Sequence, residues 1–143
     1  MHVIAIDPGP EESAMLHWDG AQVQMTRFSP NDIILGYLMI WSGNASPLVI
    51  EKVASFGMPV GAEVFETVFW TGRFFEAWPG PSTRHRLQRS TVKMHLCQTM
   101  RAKDAHIRQA LLDRFGGSNA VGRVKTPGPL YGVKGHQFAA LAV

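Results

Sequence analysis

The chain has 143 residues, the size of one domain, and its 45% hydrophobic and 17% charged content gives enough apolar material for a core and too little charge for a disordered chain. The lone cysteine, Cys97, excludes a disulfide framework and a multi-cysteine zinc site and points to a reducing, cytoplasmic setting. No apolar run approaches the roughly 20 residues of a membrane span, and no signal-peptide pattern opens the chain. The net charge of +3 hides an asymmetry: residues 1–83 carry −6 and residues 84–143 carry +9, so the second half suits a polyanion such as nucleic acid, while the acids of the first half suit another task, such as holding metal.

His2–Asp7 is a β-rich apolar run that reads as a buried strand ending on a carboxylate, stopped by Pro8–Gly9–Pro10. Ser13–Trp18 and Ala21–Phe28 flank Asp19–Gly20, a two-residue hairpin signal. Ser29–Asp32 offers helix-capping residues with Pro30 in the first turn, and a mostly apolar helix follows over Ile33–Ser42. Pro47–Glu51 is a second buried strand, again ending in a carboxylate, and Lys52–Gly61 is a loop containing Phe56. Ala62–Trp78 reads as a long helix that is apolar most of the way round, with one side in the core and another available to a two-fold partner. Arg84–Gln88 is a last strand; Ser90–Leu96 and Asp104–Phe115 are helices, the second capped by Asp104. Ser118–Gly132 reads as a loop and Lys134–Val143 as a closing helix. Three antiparallel strands followed by β-α units predict a single α/β domain over 1–143: a mixed five-stranded sheet with helices on both faces, in the order of an RNase H-like domain.

Asp7 and Glu51 both end predicted buried strands. If the strands are neighbours, the two carboxylates meet at one end of the sheet, where they repel unless a proton or a cation lies between them. A hard cation such as Mg2+ is the natural occupant, and beside phosphate such a site fits metal-assisted hydrolysis. His136, at the start of the last helix, is a candidate ligand or base. Each residue also has a plainer reading: Asp7 as a turn residue, Glu51 as a solvated strand end, His136 as an ordinary surface or core histidine. Their combination in this topology favours a site. Arg84, Arg86, Arg89, Lys93, Arg101 and Lys103 lie within twenty residues with no acid among them, a run suited to phosphates or, more plainly, to a solvated face. Phe56, if exposed, is placed to stack on an unpaired base; core packing is the alternative.

Ile4-Ala5-Ile6-Asp7-Pro8-Gly9 resembles the first-strand signature of RuvC-type Holliday-junction resolvases. Leu48-Val49-Ile50-Glu51-Lys52-Val53 is similar to their second acidic motif. Arg89-Ser90-Thr91-Val92-Lys93 with Lys103 resembles their basic segment, and His136 to Val143 their final helical motif. The resemblance runs nearly end to end in order and spacing, with the nearest likeness to small phage-type members. It implies a homodimeric, Mg2+-dependent endonuclease, with Mn2+ able to substitute, that cuts branched DNA such as four-way junctions. Asp7, Glu51 and His136 would hold metal, and Lys93 and Lys103 would lie near the scissile strand. The family pattern asks for a further Asp where this chain has Ala139, and Asp104 is the nearest spare carboxylate in the basic half. Three other readings remain at this point: another nuclease of this fold, acting on flaps or RNA–DNA hybrids; an actin-like ATPase, which needs a second phosphate motif the chain lacks; and a branched-DNA-binding module with an incomplete metal site.

Overall fold

The computed structural model describes residues 1–41, 46–55, 57–79 and 83–143. Five strands form one sheet: β1 (Val3–Asp7), β2 (Glu12–Trp18), β3 (Val23–Pro30), β4 (Leu48–Lys52) and β5 (Arg84–Gln88), in the order β3-β2-β1-β4-β5. The first three are antiparallel, and β4 and β5 add in parallel on the far side of β1. The helices are α1 (Asn31–Trp41), α2 (Ala62–Ala77), α3 (Arg89–Cys97), α4 (Asp104–Arg114) and α5 (Gln137–Ala142). None of the described helices is long and apolar enough to cross a membrane.

Alternation along the strands gives each face its own core. Ile4, Ile6, Met15, Leu48 and Ile50 point to one side and meet Ile34 and Leu38 of α1, Phe74 of α2, and Trp78. Ala14 and Leu16 point to the other, where Ile107 and Leu111 of α4, Phe138 and Ala140 of α5, and Leu130 cover them. Helices therefore lie on both faces, as the mixed α/β architecture requires, and Asp7, paired with Ala14, lies on the α4–α5 face.

Several local expectations are corrected. The Asp19–Gly20 hairpin closes over four residues, because the Asp19 carboxylate accepts from the backbone N–H groups of Ala21 and Gln22, both at 2.8 Å, and builds a wider turn. Pro30 ends β3 instead of opening a helix, so α1 begins at Asn31. Residues 118–132 hold a short hairpin, Gly122–Arg123 with Thr126–Pro127. The last helix starts at Gln137 because Lys134, Gly135 and His136 form tighter turns, with bonds from Gln137 N–H to the Lys134 carbonyl and from Phe138 N–H to that of Gly135. In α2 the buried side carries Thr67, Thr71 and Phe74; the two threonine hydroxyls donate back to the carbonyls of Glu63 and Thr67 and so tolerate burial. Phe65, Val68 and Phe69 of this helix face outward, Phe69 with 58% of its surface exposed.

Candidate active site

Ile6 of β1 is registered with Ile50 of the parallel β4, so the next residues, Asp7 and Glu51, lie side by side at the C-terminal ends of adjacent strands, about 4.8 Å apart along the hydrogen-bonding direction. Both belong to the face opposite the Ile6–Ile50 core. Burial, with the charge of Glu51 as the next cause, pushes the Asp7 carboxyl up to about 6; Arg89 and His136 pull it down and Asp104 adds to the rise. The Glu51 side chain is only 14% exposed and accepts a 2.8 Å bond from Nη1 of Arg89. Nη2 of the same guanidinium is paired with Oδ1 of Asp104, at the start of α4. Thus β4, α3 and α4 are tied together through one arginine.

The loop after Asp7 is braced from below. Gly9 N–H donates to Ser13 Oγ at 3.1 Å, Ser13 Oγ donates to Asn31 Oδ1 at 2.6 Å, and Asn31 Nδ2 donates to the Gly9 carbonyl at 2.9 Å. Ser13 and Asn31 are fully buried, and their hydrogen bonds satisfy each other. A Cβ on Gly9 would lie 2.3 Å from the Glu12 carbonyl oxygen, so only glycine fits this approach.

His136 immediately precedes α5 and stands exposed between two hollows. The larger, about 760 Å³, is acidic: Asp7, Glu11, Glu12, Glu63 and Glu66 line it together with Phe28. The smaller, about 360 Å³, has Arg89, Arg108, Asp104 and Ala139 in its walls. The His136 ring stacks on that of Phe28, with centroids 5.0 Å apart and planes at 17°. Arg108 lies over the Phe138 ring at 5.0 Å. Phe28, Arg108 and the Ser13–Asn31 brace were not singled out in the sequence. Arg108 carried a signal, being four residues after Asp104 and so on the same helical face.

The structure brings Asp7, Glu51, His136 and Asp104 around one place, with Arg89 among them. Among the described residues, though, no three His, Cys, Asp or Glu side chains are gathered closely enough to enclose an ion by themselves. Asp104 is the first residue of α4, and Lys103, not Asp104, occupies the cap position, where its N–H donates to Nδ1 of His106 at 2.9 Å. Lys93 lies one turn after Arg89 on α3, half-buried, and Lys103 and Arg101 are exposed beside Asp104. Arg84 and Arg86 stand apart from the carboxylates. They alternate onto the α2 face of the sheet, away from Asp7 and Glu51, because they are registered with Leu48 and Ile50. Arg84 is 14% exposed, donates to the Phe75 carbonyl at 2.7 Å and lies over the Phe75 ring, so its guanidinium is committed to the fold. Phe56 lies outside the described residues.

No protein-family model matches the chain, and no curated protein matches it. Among solved structures, the chain is similar to Thermus thermophilus RuvC, with a TM-score of 0.64 at 16% identity over 99% of this chain and 90% of that one. It is also similar to T. thermophilus RuvC in complex with a Holliday junction substrate, with a TM-score of 0.59 at 15% identity, covering 99% and 89% of the two chains. At such identities it is the fold alone that is shared, the mixed five-stranded sheet with helices on both faces.

Proposed function

We propose that the protein is a divalent-cation-dependent endonuclease that cuts branched DNA, four-way junctions foremost. The observation that carries this reading is the pair Asp7–Glu51, two carboxylates held side by side on neighbouring strands, Asp7 kept at a raised pKa by burial and then by the charge of Glu51. An arrangement that disfavours its own ionisation is typical of a functional site. The donor types suit a hard cation: Asp7 and the remaining oxygen of Glu51 offer carboxylate oxygens from adjacent strands, and His136 lines the acidic hollow with Asp7. Mg2+ suits this set and Mn2+ substitutes for it; the bound ion supplies Lewis acidity toward the phosphate.

The chain's own groups do the rest. His136, its ring stacked on Phe28, would be held in place as a nitrogen donor to that ion. Lys93, Lys103 and Arg101 supply positive charge to the strand, Lys93 and Lys103 nearest the reacting phosphate, and Arg108 extends that surface. The outward Phe65, Val68 and Phe69 support a homodimer, since two symmetric cuts in a junction ask for two sites related by a two-fold axis. The RuvC structure solved with a Holliday junction substrate supports this choice of DNA.

A binding module without cleavage is the second reading, favoured by Ala139 and by the guanidinium already paired with Glu51. The test sets a synthetic four-way junction beside a flap, a linear duplex and an RNA–DNA hybrid, in Mg2+ and in EDTA. Selective junction cleavage in Mg2+, lost in Asp7→Asn with binding retained, is the expected result. Binding in EDTA without cleavage in Mg2+ or Mn2+ selects the second reading, and cleavage of the hybrid alone removes the junction assignment.

A further inference from the structure

In the hairpin after α4, Gly122–Arg123 pairs with Thr126–Pro127, so Val124 and Lys125 form a two-residue tip. Its root is fixed in the core. Ala120 and Leu130 are fully buried, Gly128 N–H donates to the Val121 carbonyl at 3.0 Å, and Leu130 N–H donates to that of Ala120 at 2.9 Å. Two glycines let the chain cross itself there: Gly122 has a φ of +71°, and a Cβ on Gly128 would overlap the Ala120 carbonyl. Beyond the root the hairpin leaves the core. Arg123, Lys125, Thr126 and Pro127 are exposed, and Val124 keeps 83% of its surface in solvent. Arg123 and Lys125 form no ion pair among the described residues, and the chain from Gly116 to Val143 contains no Asp or Glu.

The strand register locates this hairpin relative to Asp7. Val23 N–H donates to the Pro129 carbonyl, beside the root, at 2.9 Å. Val23 is paired with Trp18 and Trp18 with Val3, whereas Asp7 is paired with Ala14. The root therefore lies at the end of the sheet opposite the carboxylates, about 13 Å away along β1. It is on the same face, since Ala120 and Leu130 pack with Leu16 and Phe138. Helix α4 spans the gap, from Asp104 beside Arg89 to Phe115 just past its end, whose ring lies 5.2 Å from that of Trp18. The exposed Lys103 and Arg108 mark the near part of that path and the hairpin marks its far end.

Resting on the branched-DNA reading above, we propose that this hairpin is a second DNA contact, a rigid basic prong that holds the backbone of one duplex arm as the arm runs away from the Asp7–Glu51 end. The spacing suits a duplex, because 13 Å is about four base pairs of B-DNA. The prong is shaped before it binds, so little conformational freedom is lost on contact. Two unpaired cations flanking one small apolar side chain suit phosphates and their sugars. The apolar area is far too small for a stable protein interface, which covers about 800 Å² on each partner.

The test is binding of the full chain to a fluorescent four-way junction in EDTA, followed by anisotropy between about 50 and 200 mM salt. The wild type is compared with the double variant Arg123→Ser, Lys125→Ser, whose folding is checked by thermal melts. Loss of two phosphate contacts is expected to make the slope of log K against log salt shallower by about 1.8, so that the wild type's advantage shrinks about twelvefold across that range. On a junction whose arms carry neutral methylphosphonates from the fourth base pair outward, wild type and variant are expected to bind alike. Equal slopes on the ordinary junction would overturn the proposal and turn the hairpin toward an acidic protein partner. A difference that persists on the neutralised arms would overturn it too. Should the double variant fail to fold, the wild type decides: the neutralised arms must flatten its slope by at least the same amount, and an unchanged slope overturns the proposal. No binding of the wild type to any junction overturns the branched-DNA reading itself, and the proposal with it, a result distinct from a loss confined to the variant.

Discussion

Replacing Asp7 by Asn removes a charge that the fold holds at a disadvantage, so the variant is expected to be more stable than the wild type and inactive. The unfolded chain loses the Asp7 proton near 3.8 and the folded chain near 6. Between these values the wild type becomes less stable as pH rises; above about 6 the whole cost is present, and below 3.8 it is gone. At 1.36 kcal/mol per pKa unit, the cost is about 3 kcal/mol at pH 8 and about 0.5 kcal/mol at pH 4. The attractions of Arg89 and His136 are already within that figure. For a chain of this length, Asp7→Asn is expected to melt about 10 °C above the wild type at pH 8 and about 2 °C above it at pH 4, both in EDTA. Added Mg2+ at pH 8 then narrows the gap by stabilising only the wild type. Thermal melts followed by circular dichroism at the two pH values make the measurement. A variant that melts at or below the wild type at pH 8, or a difference independent of pH, would refute the reasoning and return Asp7 to an ordinary turn residue.

Asn31→Ala strands the part-buried Gly9 carbonyl and the buried Ser13 hydroxyl and is expected to lower stability by about 1–2 kcal/mol in urea unfolding; an unchanged midpoint would deny the brace its role. Phe69→Glu, better with Phe65→Glu, is expected to turn a dimer into a monomer in sedimentation without lowering the melting temperature, and a monomeric wild type at micromolar concentration would remove the dimer. Ala139→Asp places a new carboxylate in the hollow shared by Arg89, Asp104 and His136 and is expected to tighten Mn2+ binding about tenfold; no change in calorimetry would show that this wall does not reach the ion.

The paired acids were legible because strand alternation and an abrupt stop, Pro8–Gly9–Pro10 after Asp7 and the loop after Glu51, mark both the face and the end of a strand. The mixed sheet with helices on both faces followed from the succession of elements, while the adjacency of β1 and β4 came from the structure. What escaped the sequence depends on contacts between distant residues. Arg89 reads as one more member of a basic run until β4 brings Glu51, 38 positions earlier, within 2.8 Å. Arg84 and Arg86 belong to the same run, yet their register with Leu48 and Ile50 sends them to the opposite face. Phe28 reads as a strand residue, and only the tight turn before α5 sets His136 against it. The aromatic wealth of α2 pointed to a buried side made of rings. Phe74 and Trp78 do fill it, with Trp70 and Phe75 packed against them, and Thr67 and Thr71 share the side because their hydroxyls bond back to the helix.

The charge asymmetry of the sequence persists in the fold as two unlike hollows that share His136. The acidic one repels phosphate and gathers cations; the other, edged by Arg108 with Lys103 nearby, attracts the DNA backbone. On the proposed reading, a strand lying along the basic side meets the acidic side only at the boundary that His136 marks. Charges on the basic side set affinity and its salt dependence, while charges at the boundary set rate. Removing Arg108 should therefore flatten the salt dependence of junction binding by about one phosphate contact and leave metal binding untouched. Removing Asp7 should abolish cleavage with the salt slope preserved. If the two substitutions changed the same quantity, the hollows would be one surface and the division of labour argued here would be wrong.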